Sequence, residues 1–293
     1  MTSTNNHQRD TIQFAIPKGR MYEGITRLLA DTGVAVTVTA RGYRPAISLA
    51  GFEVKILKPQ NIVEMLQAGT RDVGFAGADW VAELEADVVE VLDTKLDPVR
   101  LVAAAPRCIL EDGRLPDRAL VIAAEFERLT QLWIKRSKLN ATYLRSFGAT
   151  EVFPPEDADC IIDVAATGAT LRANDLVIID EVMQSSTRLY ASRNAWNDDR
   201  KRSAIQDMAL LLESVLSART RVMLEVNVPA AQLEMVVEVL PCMREPTIAP
   251  LYGDGAFAVK AVVPRASLAT LIPEIKSRGG TDLVISPIAQ VVA

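Results

Sequence analysis

The stretch Asp159–Asn174, which reads DCIIDVAATGATLRAN, predicts a strand, a tight turn and a helix in immediate succession. It is apolar up to Asp163, small residues follow, and helical spacing begins near Thr170. Short apolar strands alternate with helices upstream of this stretch as well. Because such alternation is typical of parallel βαβ units, the sequence predicts an α/β protein.

The alternation divides the larger part of the chain into two similar runs. The first run predicts, in order, Ile12–Ile16 (strand), Met21–Ala30 (helix), Val34–Val38 (strand), Phe52–Leu57 (strand), Asn61–Gln67 (helix) and Asp72–Ala76 (strand). After Leu101–Ala105 the pattern begins again with Leu120–Ala123 (strand), Leu129–Lys138 (helix), Ala141–Leu144 (strand) and Cys160–Val164 (strand). We therefore expect a two-lobed part like that of periplasmic binding proteins, with a cleft between the lobes. Lobe I comprises residues 1–100, completed by about 181–219, and lobe II comprises residues 101–180.

The rest of the chain predicts a separate domain. Apolar residues at helical spacing over Asp198–Arg219 predict one long helix. The segments that follow are strand Val222–Val228, helix Ala231–Leu240, strands Ile248–Leu251 and Ala256–Val263, helix Ser267–Arg278 and strand Leu283–Ile285. This βαββαβ order is the ferredoxin-like arrangement, so residues 220–293 are expected to form a small regulatory domain.

Charge and hydropathy exclude several classes of protein. The chain has 293 residues and a net charge of -5, whereas nonspecific nucleic-acid binding requires a basic surface. No apolar run reaches about 18 residues, and Met1–Asp10 is polar, so we expect no membrane span, no secretory signal and a cytoplasmic location.

Histidine and cysteine usage narrows the chemistry further. The single histidine, His7, lies in a polar tail, which excludes catalytic triads and histidine-ligated metals. Cys108, Cys160 and Cys242 are an odd number without CxxC spacing, so we expect buried, reduced thiols and no disulfide framework or zinc site. Carboxylates, basic side chains and backbone amides remain for catalysis, which suits transfer reactions that depend on positioning.

The turn Ala165–Thr170 has the composition of a phosphate-binding loop. Backbone N–H groups at the start of a helix attract an anion, and Gly168 permits a tight turn. Asp163, at the end of the strand, is placed to accept hydrogen bonds from ribose hydroxyls. The alternative is a plain strand-to-helix turn in which Thr167 or Thr170 caps the helix, and the spacing alone leaves both interpretations open.

Several segments, taken in order, carry a resemblance to a known family. They are Pro17–Arg20, Arg41–Arg44, Leu57–Ile62, Asp72–Gly77, Gly148–Val152, the loop Asp163–Asn174 and Pro246–Leu251. Together they resemble the long form of ATP phosphoribosyltransferases from about residue 12 onward. The ordered agreement of these segments is more specific than any one of them.

This resemblance implies a reaction and a set of site residues. N1 of ATP attacks C1 of phosphoribosyl diphosphate (PRPP), and diphosphate leaves with Mg²⁺, which the substrate carries rather than the protein. The implied PRPP-binding residues are Asp163, Ala166, Thr167, Gly168, Ala169 and Thr170, and the catalytic candidates are Lys18, Arg20 and Glu151. Histidine is the implied feedback effector, with Glu225, Thr247 and Ser286 as its contacts. A homo-oligomer, from dimer to hexamer, is also implied.

The chain departs from the family pattern in places that bear mainly on ATP. Ala78 stands where relatives commonly carry Arg, Lys95-Leu96-Asp97 replaces a Gly-Phe-Gly stretch, and Asn174-Asp175 replaces the usual Asn-Gly. Two other functions stay open on the sequence. A type I phosphoribosyltransferase also has TGxT after an acidic strand, although usually with two adjacent acids. A non-catalytic, two-lobed binding protein is the other alternative.

Overall fold

The computed structural model describes residues 11–38, 42–253 and 255–292, so that His7 and Arg41 lie outside the described residues. Contacts along the chain separate two units, one extending to Ala209 and the other comprising Leu210–Ala293. Each unit combines helices with a sheet, which confirms the expected α/β class. The lobe boundaries at residues 100 and 180 stay a prediction.

The first unit is built on one large mixed sheet. Its elements are β1 (Ile12–Pro17), α1 (Arg20–Asp31), β2 (Val36–Thr37), β3 (Ala46–Ile47), β4 (Phe52–Leu57), α2 (Pro59–Gln67), β5 (Val73–Gly77), α3 (Ala78–Glu83), β6 (Val88–Pro106), β7 (Leu120–Ala124), α4 (Glu127–Ser137), β8 (Ala141–Arg145), β9 (Cys160–Ala165), α5 (Ala169–Ala173), β10 (Leu176–Ser192) and α6 (Arg193–Asn197). The strand order is β4-β1-β5-β10-β6-β9-β7-β8, while β2 and β3 pair separately. The helix α7 (Asp199–Arg219) follows and matches the predicted long helix.

Parallel strands flank the centre of the sheet on both sides. β1 runs parallel to β4 and β5, and β7 runs parallel to β8 and β9, as the βαβ pattern predicts. Helices cover these strands with apolar side chains: α1 buries Ile25, Leu28 and Leu29, and α4 buries Trp133 and Ile134. The packing leaves the carboxyl ends of β1, β5 and β9 to carry polar residues, which is where ligands of open α/β sheets bind.

Two long antiparallel strands, β6 and β10, join the two halves of the sheet. β10 pairs with β5 near Thr187–Ala191, and it pairs with β6 over almost its whole length with several register shifts. The sequence predicted only Leu101–Ala105 of β6 and nothing of β10. Polar residues interrupt the alternation of both strands, the left-handed residues Lys95 and Asp97 interrupt β6, and several register shifts interrupt β10, so their periodicity is weak.

The second unit is a four-stranded sheet with helices on one face. Its elements are β11 (Arg221–Pro229), α8 (Leu233–Val237), β12 (Thr247–Pro250), β13 (Ala256–Pro264), α9 (Leu268–Ser277) and β14 (Thr281–Pro287). The order β12-β13-β11-β14 with antiparallel neighbours is the expected ferredoxin-like arrangement. Alternate residues of β11 from Val222 to Val228 are buried against Val236, Leu271 and Ile275, so the opposite face of this sheet remains exposed.

Some local expectations were wrong. The helix predicted over Ala231–Leu240 is shorter, because a 3-10 turn precedes α8 and Pro241 restricts the chain beyond it. The cysteines are free as expected, but only Cys160 is buried; Cys242 is half-buried and Cys108 is exposed. Among the helices of the described residues, none combines the length and apolar character needed to cross a membrane.

Candidate active site

The turn between β9 and α5 leaves the first residues of the helix without a side-chain cap. Gly168 adopts φ 71°, a left-handed conformation that favours glycine, and it caps α5 without a side-chain cap. The Thr167 hydroxyl accepts only a long 3.4 Å hydrogen bond from the Ala169 N–H, and the Arg172 guanidinium donates to the Thr167 carbonyl at 3.0 Å. Gly168, and neither Thr167 nor Thr170, is therefore the N-cap residue of α5, while the phosphate-binding role of the turn stays a prediction.

The loop borders a cavity of about 260 Å³, here called the loop cavity. Its lining includes every residue from Asp163 to Leu171, together with Arg20, Val99 and Glu151. Arg20 is the first residue of α1, and Glu151 lies in a 3-10 turn, Thr150–Val152, that precedes β9. Three separate parts of the chain thus meet around the loop.

Asp163 is the half-buried carboxylate of the loop cavity. Its Oδ1 accepts a 2.7 Å hydrogen bond from the Val164 N–H. Burial raises the pKa of Asp163 to about 6, and the nearby charges of Glu151 and Glu125 act in the same direction. The carboxylate is ionised at neutral pH but costs more to charge than an exposed one.

A second cavity of about 290 Å³ adjoins the first and is here called the aromatic cavity. Trp80 and Phe126 line it with their rings 4.6 Å apart and inclined at 31°. Arg20, Val99, Asp163 and Val164 line both cavities, so the two are contiguous. Trp80 packs against Phe126 and also faces the cavity.

Asp79 is a buried acid of the aromatic cavity that the sequence analysis missed. Its side chain accepts a 2.8 Å hydrogen bond from the Trp80 N–H, and its own N–H donates to Ser185 Oγ at 3.1 Å. Burial raises its pKa, while Arg20 acts in the opposite direction. A methyl group on Gly77 would lie 2.2 Å from Asp79 Oδ1, so glycine is needed for this packing. The position of Asp79 just after β5 is the signal that could have identified it.

Other lining residues of the aromatic cavity had no usable signal in the sequence. Asp97 and Glu125 face it from the two halves of the sheet, and Ser185–Thr187 face it from β10. Asp97 Oδ2 accepts a 3.1 Å hydrogen bond from Thr187 Oγ1. Since β10 was not predicted as a strand, this contact could not be foreseen.

Three of the residues that depart from the family pattern share a backbone conformation. Lys95 and Asp97 adopt φ values of 58° and 46°, and Asp175 adopts 55°, all in the left-handed region. These are the positions where the resemblance leads one to expect glycine, which adopts this region without strain. Ala78, in place of the expected Arg, is buried at the start of α3.

Lys18 stands apart from the other catalytic candidates. It is exposed directly after β1, where its N–H donates to the Leu57 carbonyl, and it is not among the residues that line the two cavities. Its predicted role in binding substrate stays a prediction.

In the second unit, the three effector candidates share the exposed face of the sheet. Thr247 lies opposite Lys260, and Lys260 lies opposite Glu225, with which it forms a 2.8 Å ion pair. Ser286 lies opposite Met223, two residues from Glu225, and therefore on the same side. The sheet brings these residues onto one surface, here called the effector face.

Comparisons with known proteins agree with this arrangement. Residues 58–214 match the family model described as ATP phosphoribosyltransferase. The chain belongs to the ATP phosphoribosyltransferase family. Residues 218–290 also match the C-terminal domain model of this family, which covers most of the second unit.

Individual relatives extend the match over nearly the whole chain. An ATP phosphoribosyltransferase of Pelotomaculum thermopropionicum is 35% identical over 290 residues, covering 96% of this chain and 99% of the relative. One of Chlorobium phaeobacteroides is 35% identical over 280 residues, covering 94% and 95%. In structure, a chain of the ATP phosphoribosyl transferase (HisG:HisZ) complex from Thermotoga maritima matches with a TM-score of 0.62 and 25% identity, covering 71% of this chain and 99% of that one. The resemblance inferred from the motifs is thus confirmed. Family membership identifies the protein as an enzyme of the glycosyltransferase type and sets the other two functions aside.

Proposed function

We propose that this enzyme transfers the 5-phosphoribosyl group of PRPP to N1 of ATP and releases diphosphate. The observation that supports this most is the loop cavity, in which Gly168, Asp163 and Arg20 surround one space. The 5-phosphate binds to the backbone N–H groups of the loop, because a helix start with free N–H groups favours an anion. Asp163 accepts hydrogen bonds from the ribose hydroxyls.

The aromatic cavity receives the adenine of ATP. Its ring pair, Trp80 and Phe126, offers an apolar surface for a planar base, and Asp79 offers an acceptor for the 6-amino group. Because the two cavities are contiguous, N1 can approach C1 of the ribose. The C1–N1 bond forms as the bond from C1 to the diphosphate oxygen breaks, and the electron pair leaves with diphosphate. Holding the two reactants in line accounts for much of the rate.

Mg²⁺ fits this site as a companion of the diphosphate. Within the described parts of the chain, no group of three or more His, Cys, Asp or Glu side chains could hold a metal ion. Mg²⁺ is commonly bound by substrate phosphates and only one or two carboxylates. Glu151 and Asp163 line the loop cavity, and the charge of Glu151 raises the pKa of Asp163, so this pair suits a shared cation. Bound there, Mg²⁺ would neutralise charge on the leaving diphosphate.

The direct test is to follow phosphoribosyl-ATP by its ultraviolet absorbance in a mixture of ATP, PRPP and Mg²⁺. Product should require all three components and should stop when the metal is chelated. Isothermal titration should show PRPP binding. If PRPP binds but no product forms from ATP, the acceptor is assigned wrongly; if PRPP does not bind, the loop assignment fails.

We also propose that the effector face binds histidine and that histidine inhibits the enzyme. Glu225 can pair with a cationic group of histidine, and the hydroxyls of Thr247 and Ser286 can meet its other polar groups. Inhibition should not compete with PRPP, and PRPP should change the affinity for histidine reciprocally. The assembly in which this occurs is a homo-oligomer, from dimer to hexamer, measurable by light scattering.

The matched variants are Thr247→Val, which removes a hydroxyl from the effector face, and Thr270→Val, which removes one from α9 in the same unit. Only the first should weaken inhibition by histidine. An active enzyme that millimolar histidine does not inhibit would contradict the regulatory proposal and leave the catalytic one intact.

A further inference from the structure

A third pocket lies near the amino-terminal ends of β4 and β5, away from the loop cavity and the aromatic cavity. It has a volume of about 400 Å³ and is lined by Arg44, Pro45, Ala46, Ile47, Phe52, Glu53, Val54, Lys55 and Arg71; we call it the basic pocket. Arg71 comes just before β5, whereas the cleft residue Asp79 follows that strand. The basic pocket shares no lining residue with the loop cavity or the aromatic cavity.

Arg71 is the unusual residue of this pocket. It is only 7% exposed, and its Nη1 is buried and has no hydrogen-bond partner among the residues that the structure describes. The adjacent carboxylate of Asp72 is engaged elsewhere, by the Lys201 ammonium at 2.7 Å and the Gln13 N–H at 2.7 Å. A buried guanidinium nitrogen that lacks an acceptor is costly, so this arrangement requires an acceptor from outside the described chain.

The other basic residues of the pocket add to the positive charge of Arg71. Lys55 is half-buried on β4, and its pKa is lowered by burial and then by the charges of Arg71 and Arg44. Burial also lowers the pKa of Arg71, with Arg44 acting in the same direction and Asp72 opposing it. Glu53 is the acid among the lining residues, and it accepts a 3.3 Å hydrogen bond from Gln13 Nε2. Three cations face one carboxylate here, although the whole chain has a net charge of -5.

We propose that the basic pocket binds a phosphate group, either as inorganic phosphate or on a small organic molecule. An anion complements the buried guanidinium of Arg71 and the half-buried ammonium of Lys55 beside it. The planar fork of a buried Arg donates to phosphate oxygens in a defined geometry, and Lys55 adds a point charge beside it. This site is separate from the PRPP loop and makes no use of the catalytic residues.

Lys55 makes the site testable by chemical labelling of the full-length enzyme. Pyridoxal 5-phosphate carries a phosphate and an aldehyde. The neutral amine of Lys55 attacks the aldehyde, water is lost and an imine forms; borohydride then delivers hydride to the imine carbon while nitrogen takes a proton from water. The lasting secondary amine is measured on the Lys55 peptide by mass spectrometry. Pyridoxal, which lacks the phosphate, is the matched reagent, and exposed Lys135 on α4 is the internal reference.

We expect Lys55 to be labelled at least about tenfold faster by pyridoxal phosphate than by pyridoxal, because the phosphate contacts charged donors. Lys135 should show no such preference. Competition by inorganic phosphate and by ribose 5-phosphate distinguishes the two sources: protection by both at similar concentrations indicates a site for the phosphate alone, and stronger protection by the sugar phosphate indicates an organic ligand.

Two variants test the assignment to Arg71. Arg71→Met keeps the buried volume but removes the charge, and it should reduce labelling of Lys55 by pyridoxal phosphate to the rate with pyridoxal. Glu53→Gln removes the negative charge of an exposed residue and should increase the preference of Lys55 labelling for the phosphate reagent. If circular dichroism shows that Arg71→Met does not fold, the result with Glu53→Gln tests the phosphate site instead. Equal labelling of Lys55 by both reagents in the unaltered enzyme, or a preference that survives in folded Arg71→Met, would overturn the proposal.

Discussion

The aromatic cavity and the basic pocket lie at opposite ends of β5, and the cleft and the basic pocket differ in charge. Acids line the two cleft cavities: Asp79, Asp97, Glu125, Glu151 and Asp163, with Arg20 reaching both. The basic pocket has three cations and one acid. ATP and PRPP, the proposed substrates, are both strongly anionic, so their binding in an acidic cleft would depend on backbone N–H groups, on basic side chains such as Arg20 and on cations that arrive with the substrates. The basic pocket needs no such companion to hold an anion.

The largest expected effect is on PRPP binding, when the backbone donors of the cleft are blocked. Gly168→Val should weaken PRPP binding by roughly 100-fold while changing the KM for ATP little, because lost hydrogen bonds to a charged group cost about 1.5 to 3 kcal/mol each. A Cβ there would also lie 3.2 Å from Arg172 Nη1, in a left-handed conformation. Isothermal titration with PRPP and steady-state kinetics measure the effect.

Backbone strain alone has to be separated from that effect. Gly33→Val is the matched control, because Gly33 also has a positive φ, 88°, but a Cβ there would meet nothing within 4 Å. It should lower stability without altering PRPP affinity. Equal losses for PRPP and ATP in Gly168→Val would show that the loop does not hold the 5-phosphate.

The next largest effect is expected at the cation that both cleft cavities share. Arg20→Met should lower kcat/KM for both substrates by about 10- to 100-fold, the range for one lost charged hydrogen bond. Lys18→Met tests the exposed side chain of Lys18, which lies two residues before Arg20. A loss as large as that of Arg20→Met would place Lys18 on a substrate phosphate, and a loss below about threefold would place it on the solvated surface.

Asp163 should make catalysis in the cleft depend on pH. Its pKa rises from 3.8 to about 6 in the folded state, so kcat/KM for PRPP should fall as the pH drops below about 6. Asp163→Asn should lower activity by about tenfold above that pH and abolish the inflection. An unchanged inflection in this variant would assign it to another group.

The same shift has a consequence for stability with a definite sign. Between pH 3.8 and about 6 the folded state binds more protons at Asp163 than the unfolded state, so its contribution to stability is lost as the pH rises through this window. Asp163→Asn should therefore be more stable than the unaltered enzyme at pH 7 but not at pH 4. Urea denaturation at the two pH values measures the difference.

The smallest expected effect concerns an acid near the loop that the proposal leaves without a role. Asp175 is exposed with φ 55°, where the family resemblance leads one to expect glycine. Asp175→Gly should raise the free energy of unfolding by about 0.5 to 1 kcal/mol through relief of strain, and PRPP affinity should stay unchanged. A loss of PRPP affinity would show that acids beyond the two cavities matter to the cleft.

The sequence predicted those parts of the fold and of the candidate site that depend on residues adjacent in the chain. The loop after β9 and the short parallel strands show clear periodicity, and Asp163 follows from its place on the strand. These features depend on a few adjacent residues. The effector candidates were instead taken from the family resemblance, and the pairing of β11, β12, β13 and β14 places them on one face.

Long-range pairing produced what the sequence did not predict. β10 is recognisable as a strand only through its partners β5 and β6, and Ser185 reaches Asp79 only because of that pairing. The basic pocket likewise joins Arg44, Lys55 and Arg71 across a hairpin and two strands. These three cations lie apart in the sequence and come together only through the fold.

The pairing of β5 with β10 also constrains the order in which a newly synthesised chain can fold. As the ribosome releases the N-terminal residues, β1, β4 and β5 can associate, but the open edge of β5 must wait until Thr187–Ala191 has left the exit tunnel. β6 can pair with β9 once Cys160–Ala165 has emerged, and its pairing with β10 comes later still. An unpaired edge can join strands of other chains, so nascent chains of this enzyme are most prone to aggregate while the residues between β6 and β10 are being translated.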